Sequence, residues 1–93
     1  MLTFNLKKEW YEKIRSGEKT VEYRSMSSYW IKRLEKYERE PDYLICKLVL
    51  GYTKKHMIAR VTKIVVVDGK DTDLPTKAYV FAIHLADVRE VTE

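Results

Sequence analysis

The spacing of apolar positions changes period several times along the chain. Leu2, Phe4 and Leu6 alternate with Thr3 and Asn5, the pattern of a strand with one buried face. From Lys7 or Lys8 to Ser16 the spacing lengthens. Trp10, Tyr11 and Ile14 cluster on one side, which predicts a short amphipathic helix with Trp10 in the core. Lys13 and Arg15 fall near its C-terminal end, where cations complement the helix dipole. Gly17 follows, at the place where a helix end favours a left-handed residue. Period two returns at Thr20: Val21 and Tyr23 point one way, and Thr20, Glu22 and Arg24 the other. The hydroxyls of Ser25, Ser27 and Ser28 are N-cap candidates for a second helix over 28–37. Its apolar positions are Trp30, Leu34 and Tyr37, and Pro41-Asp42 marks the break after it.

The second half reads as strands. Residues 43–50 are almost continuously apolar, with Lys47 the only charge, and predict a strand buried on both faces. A basic turn, Gly51-Tyr52-Thr53-Lys54-Lys55, leads into a long strand over 57–67. There Met57, Ala59 and Val61 face one way and Ile58, Arg60 and Thr62 the other. The alternation lapses at 64–67, as at a bulge or barrel corner. Asp68-Gly69 signals a turn, and 71–77, with Leu74-Pro75, a loop. Tyr79, Phe81, Ile83 and Leu85 then alternate with Val80, Ala82 and His84. Residues 88–91 add a short last strand or extend the same one past a bend. Too few helices alternate with strands for a doubly wound sheet. The pattern predicts one α+β domain over 1–93, a closed or partly closed small β-barrel with two helices packed at its side.

Composition narrows the function classes. Apolar residues make up 45% of the chain and charged residues 34%, enough for a core and too much charge for a membrane protein. The longest apolar runs fall far short of the roughly 18 residues that a spanning helix needs. No basic flank precedes the first apolar stretch and no small-residue cleavage site follows it, so a signal peptide is not expected. The single Cys46 lies in an apolar run and reads as a core thiol in a reducing cytosol. The expected location is therefore cytoplasmic, and the expected state monomeric. Charge is uneven: residues 1–40 hold ten Lys/Arg against seven Asp/Glu, 41–67 five against one, and 68–93 three against six. A basic body with an acidic end suits an anionic partner.

Most catalytic and cofactor signatures are missing. One cysteine and two histidines, His56 and His84, show no metal-ligand spacing, so no metal is expected. Asp71 and Asp73 read as an acidic solvated loop. No P-loop, G-x-G-x-x-G or G-x-S-x-G occurs, and no cofactor is expected. What remains is Lys19, Glu22 and Arg24. On a strand the last two share a face about 6.5–7 Å apart, with the Lys19 amine entering from the preceding turn. These three residues are either a surface ion-pair cluster or a site holding an acid, a permanent cation and a titratable amine.

The segment Gly17-x-Lys19-x-x-Glu22-x-Arg24 follows a helix containing Trp10, Tyr11 and Ile14, and precedes Tyr29-Trp30-Ile31-Lys32-Arg33-Leu34. With Gly51-Tyr52, Ala59-Arg60-Val61 and a final strand ending in Ile83-His84-Leu85, it resembles the ASCH domain family over nearly the whole chain. Ala86 departs from the glycine of many relatives, at the last turn rather than at the site. The resemblance implies a small PUA-like β-barrel in which Lys19, Glu22 and Arg24 line a cleft between barrel and helices. It also implies RNA or nucleotide binding. Tyr29, Trp30 and Tyr52 offer stacking faces, and Arg33, Lys54 and Lys55 phosphate contacts; Trp30 reads equally well as core. Some relatives hydrolyse the acetyl amide of acetylcytidine. They use a lysine matching Lys19, a threonine matching Glu22 and a glutamate from a later helical segment. Here glutamate replaces the threonine, and no helical insertion is expected after Val67 to bring that second glutamate. The alternative function is thus a small hydrolase acting on a modified nucleoside or RNA, with Lys19 and Glu22 as the catalytic pair.

Overall fold

Strand β1, Leu2–Leu6, buries Leu2, Phe4 and Leu6 and exposes the residues between them, as its alternation dictates. The computed structural model describes residues 2–37, 44–74 and 76–91. Helix α1 spans Lys8–Arg15 and buries Tyr11 and Ile14. Strand β2 is Val21–Ser25, and helix α2 is Ser28–Leu34, extended by a 3₁₀ turn, Glu35–Tyr37. Ser27 caps α2, its hydroxyl accepting from the Trp30 N–H at 3.4 Å. Strands β3, Leu44–Leu50, β4, His56–Asp68, and β5, Tyr79–Val91, follow; a 3₁₀ turn at Gly69–Asp71 opens the connection from β4 to β5. Arg39, the Pro41-Asp42 break and Tyr43 lie outside the described residues, as does Pro75.

The five strands form one sheet in the order β1-β3-β4-β5-β2, with β1 parallel to β3 and every other pair antiparallel. The sheet curls into a half-barrel, and the domain is α+β. Phe4, Leu48, Met57, Val61, Phe81 and Ile83 of the sheet meet Tyr11, Ile14 and Leu34 of the helices in one core. Curling brings β1 and β2, the first and last strands of the sheet, toward each other without pairing them.

Two expectations need correction, and one open alternative is resolved. Strand β3 is not buried on both faces: Cys46 and Leu48 are in the core, but Ile45 is exposed and Lys47 partly so. The irregularity of β4 lies upstream of 64–67. Val61 sits opposite Leu85 and Lys63 opposite His84, so Thr62 is an extra residue on β4, and the buried positions shift from 57, 59 and 61 to 64. Of the two readings of 88–91 the structure takes the second: β5 is one strand, continued past a bend. Ile58 faces Arg89 while Arg60 faces Ala86, which leaves an extra residue on β5 where Asp87 has a φ of 53°. The buried side of β5 accordingly moves from Phe81, Ile83 and Leu85 to Val88. Each bulge bends its strand and raises its twist, which is how so short a sheet curls.

Candidate functional site

The turn after α1 delivers the first site residue. Gly17 takes a φ of 86°, which lets the chain reverse, and the Lys19 N–H donates to the Lys13 carbonyl at 3.0 Å. Lys19 is thereby fixed directly before β2, whose alternation puts Glu22 and Arg24 on the inner side, opposite Ile83 and Phe81 of β5.

Side chains, not a backbone ladder, span the gap between the outer strands. Arg24 of β2 donates from Nη2 to the backbone carbonyl of Asn5 in β1 at 2.8 Å. Beside this bridge lies a cavity of about 330 Å³, whose lining includes Asn5, Trp10, Glu22, Arg24, Trp30 and Asp73. Both strands, both helices and the β4–β5 connection contribute to it.

The charged residues form a chain of alternating sign. The Glu22 Oε2 accepts from Arg24 Nη2 at 2.7 Å and from Nε at 3.2 Å. Its Oε1 accepts from the Tyr23 N–H at 3.2 Å and lies 3.6 Å from Lys19 Nζ. Lys19 also pairs with the Asp73 carboxylate. Its ammonium sits 5.1 Å from the ring centre of Trp10 and 5.0 Å from that of Tyr23. Arg24 lies over Phe4 and Trp30, 5.2 Å from each ring, and those two rings stack at 5.1 Å. The side chains of Lys19 and Glu22 are only 8% and 6% exposed, so this is not a surface ion-pair cluster. Buried charges persist only when paired and hydrogen-bonded, and here two carboxylates and two cations satisfy one another. Among the described residues the hydrogen bonds of Arg24 run from Nε and Nη2.

Of the other residues singled out in the sequence, Trp30 serves both readings: it packs on Phe4 and lines the cavity. Tyr29 and Arg33 adjoin this wall without lining the cavity. The Arg33 guanidinium lies 3.4 Å from the Tyr29 ring centre, and Tyr29 meets Trp30 edge-on at 4.9 Å. Tyr52, 97% exposed in the β3–β4 hairpin, is not brought to the cavity. Lys19 lies behind the cavity wall, facing a second hollow that also includes Trp10, Tyr23 and Asp73.

Two residues read as framework belong to the site. Trp10 is only half-buried, contacts the Lys19 ammonium and walls both hollows. Asp73, read as a solvated loop acid, is bound to Lys19. The connection after Val67 thus brings a second carboxylate, an aspartate, beside Lys19. Gly69 makes this possible: its N–H donates to the Ala78 carbonyl at 3.0 Å, closing the connection on itself. The Thr72 hydroxyl then donates to the Gly69 carbonyl at 2.8 Å, directly before Asp73.

Elsewhere the chemistry is muted. Burial pushes the Cys46 thiol up to about 12, which removes it as a nucleophile. Among the described residues no cluster of three His, Cys, Asp or Glu could hold a metal, and no helix is long and apolar enough to cross a membrane. No family model, curated protein or solved structure matches this chain.

Proposed function

We propose that the cavity between β1 and β2 binds a nucleobase, carried by RNA or by a free nucleotide, in a domain of ASCH-like and PUA-like character. One observation carries this reading. Glu22 and Arg24, locked together and to the Asn5 carbonyl, present an acceptor and a donor side by side on the wall of a cavity framed by Trp10 and Trp30. A base edge carries donors and acceptors in one plane, and its faces stack on aromatic side chains. About 330 Å³ falls at the small end of the range typical of ligand pockets. A phosphate fits this cavity poorly, because Glu22 and Asp73 both line it; the net charge of +4 is left to serve phosphates outside. The test is a titration of nucleotides and single-stranded and structured RNA at two salt concentrations. Nucleotide binding with a salt-dependent gain for RNA supports the reading, and no binding at low salt rejects it.

A second reading, hydrolysis of an amide on a modified nucleoside, is favoured by the placement of Asp73. Lys19 lies between two carboxylates, and Asp73, an aspartate of the β4–β5 connection, would stand in for the glutamate that the acetylcytidine-cleaving members of the resembled family bring from a later helical segment. In this reading Lys19 and Glu22 are the catalytic pair, with Asp73 relaying a proton through Lys19. Incubation with acetylcytidine should release cytidine and acetate, and Lys19→Ala should abolish the release. Equal inertness of both proteins leaves base binding alone.

A further inference from the structure

A third hollow opens beside the seam cavity, on the side away from Lys19's ion pairs. It measures about 400 Å³ and is lined by Ser25, Met26, Ser27, Leu74, Thr76, Ala78, Tyr79 and Val80. Ser25 and Leu74 also line the seam cavity, so the two compartments meet there in one groove. Among the described residues no charged side chain lines this third hollow, which makes it unsuited to a phosphate, a cation or a charged peptide side chain. Tyr79 is 64% exposed, Met26 38% and Leu74 37%, three large apolar side chains gathered at one place. Contiguous exposed apolar surface marks a binding site more often than chance.

We infer that this hollow takes the base next to the one in the seam cavity, so that the ligand is a nucleic-acid strand rather than a single nucleoside. The inference rests on the base-binding reading above and extends it. A neutral, flat group that stacks suits the exposed Tyr79 ring, and the flexible Met26 thioether adapts to any of the four bases. Ser25 lines both compartments and so stands at their junction, where the sugar–phosphate link would pass.

The experiment compares the four ribonucleoside 5′-monophosphates with their homotrinucleotides on wild type, Tyr79→Ala and Tyr79→Phe, at one fixed salt concentration. Tyr79 is exposed, so both variants keep the fold. The trinucleotide should bind about tenfold tighter than the monophosphate, the scale of one base–aromatic stack. Tyr79→Ala should lower trinucleotide affinity about tenfold and Tyr79→Phe preserve it, with monophosphate affinity equal in all three proteins. A trinucleotide affinity that Tyr79→Ala leaves unchanged comes from phosphate charge alone and overturns the inference. Equal affinity for both ligands also overturns it, as a hollow built for an apolar peptide side chain would require. If neither ligand binds, the base-binding reading falls first and this inference with it.

Discussion

Arg24 holds three parts of the molecule at once. Its fork grips Glu22, its Nη2 reaches the Asn5 carbonyl across the seam, and its flat face covers Phe4 and Trp30. Arg24→Lys keeps the charge but loses the planar fork. Ligand affinity should fall at least about tenfold, the equivalent of about 1.4 kcal/mol. Sequence spacing alone implies little effect on stability. The structure makes the residue a strut as well, because Glu22 is 5% exposed and loses its paired donors. Unfolding free energy should therefore fall by about 1–3 kcal/mol, the cost of leaving a buried acceptor unpaired. Denaturant titration and ligand titration on one purified variant check both figures; unchanged binding with lowered stability would reduce Arg24 to framework. His84 gives a separate test at this scale. Burial, helped by the positive charge of Lys63, holds its imidazole below the ordinary value of 6.5. The unfolded chain then takes up the proton first as pH falls. Stability is full above about 6.5 and declines below it until the folded-state value is passed. His84→Gln should flatten the unfolding midpoint between pH 7 and 5 relative to wild type, and an unchanged slope would assign that dependence to other groups.

Elements whose cause is local were legible. The alternation of Leu2, Phe4 and Leu6, the stop at Gly17 and the cap at Ser27 each act within a few residues, and each stands where the pattern put it. Pairing is not local. The extra residues at Thr62 and Asp87 are defined only against the opposite strand, so the lapse in apolar spacing signalled a bulge but not its position. For the same reason Lys19, Glu22 and Arg24 could be grouped from the sequence, whereas Asp73, 54 positions from Lys19, could not. Its delivery depends on Gly69, where an added Cβ would lie 2.5 Å from the Ala78 carbonyl oxygen and would also strike the Thr76 methyl. Backbone cannot yield as a side-chain tip does. Gly69→Ala should cost about 1–3 kcal/mol and lift the connection off Lys19. Adding Asp73→Asn to that variant should then cost little more, since the pair is already broken. Strictly additive losses would mean that the connection keeps its place without Gly69.

At the scale of the whole molecule, the half-barrel is completed by side chains at its seam. Strand β1 pairs with β3 along one edge and is tied to β2 through Arg24. This leaves open whether β1 detaches alone or only when the whole domain unfolds. Cys46 can report the difference. It is 0% exposed in the middle of the sheet, opposite Leu2 of β1 and Ala59 of β4. Burial holds its thiol at about 12, so reaction with iodoacetamide at pH 8 requires an opening that restores both access and an ordinary thiol. Leu2, Phe4 and Leu6 are all buried in the common core, so exposing them costs a large share of the total stability. Detachment of β1 should therefore coincide with global unfolding. Arg24→Lys should then speed alkylation by the same factor by which it raises the unfolded fraction, about tenfold for each 1.4 kcal/mol lost. Nucleotide at ten times its dissociation constant should slow alkylation about elevenfold, because an opened seam has no site to bind it. Alkylation that accelerates far more than stability falls would show β1 peeling away on its own. The seam would then be a gate rather than a weld.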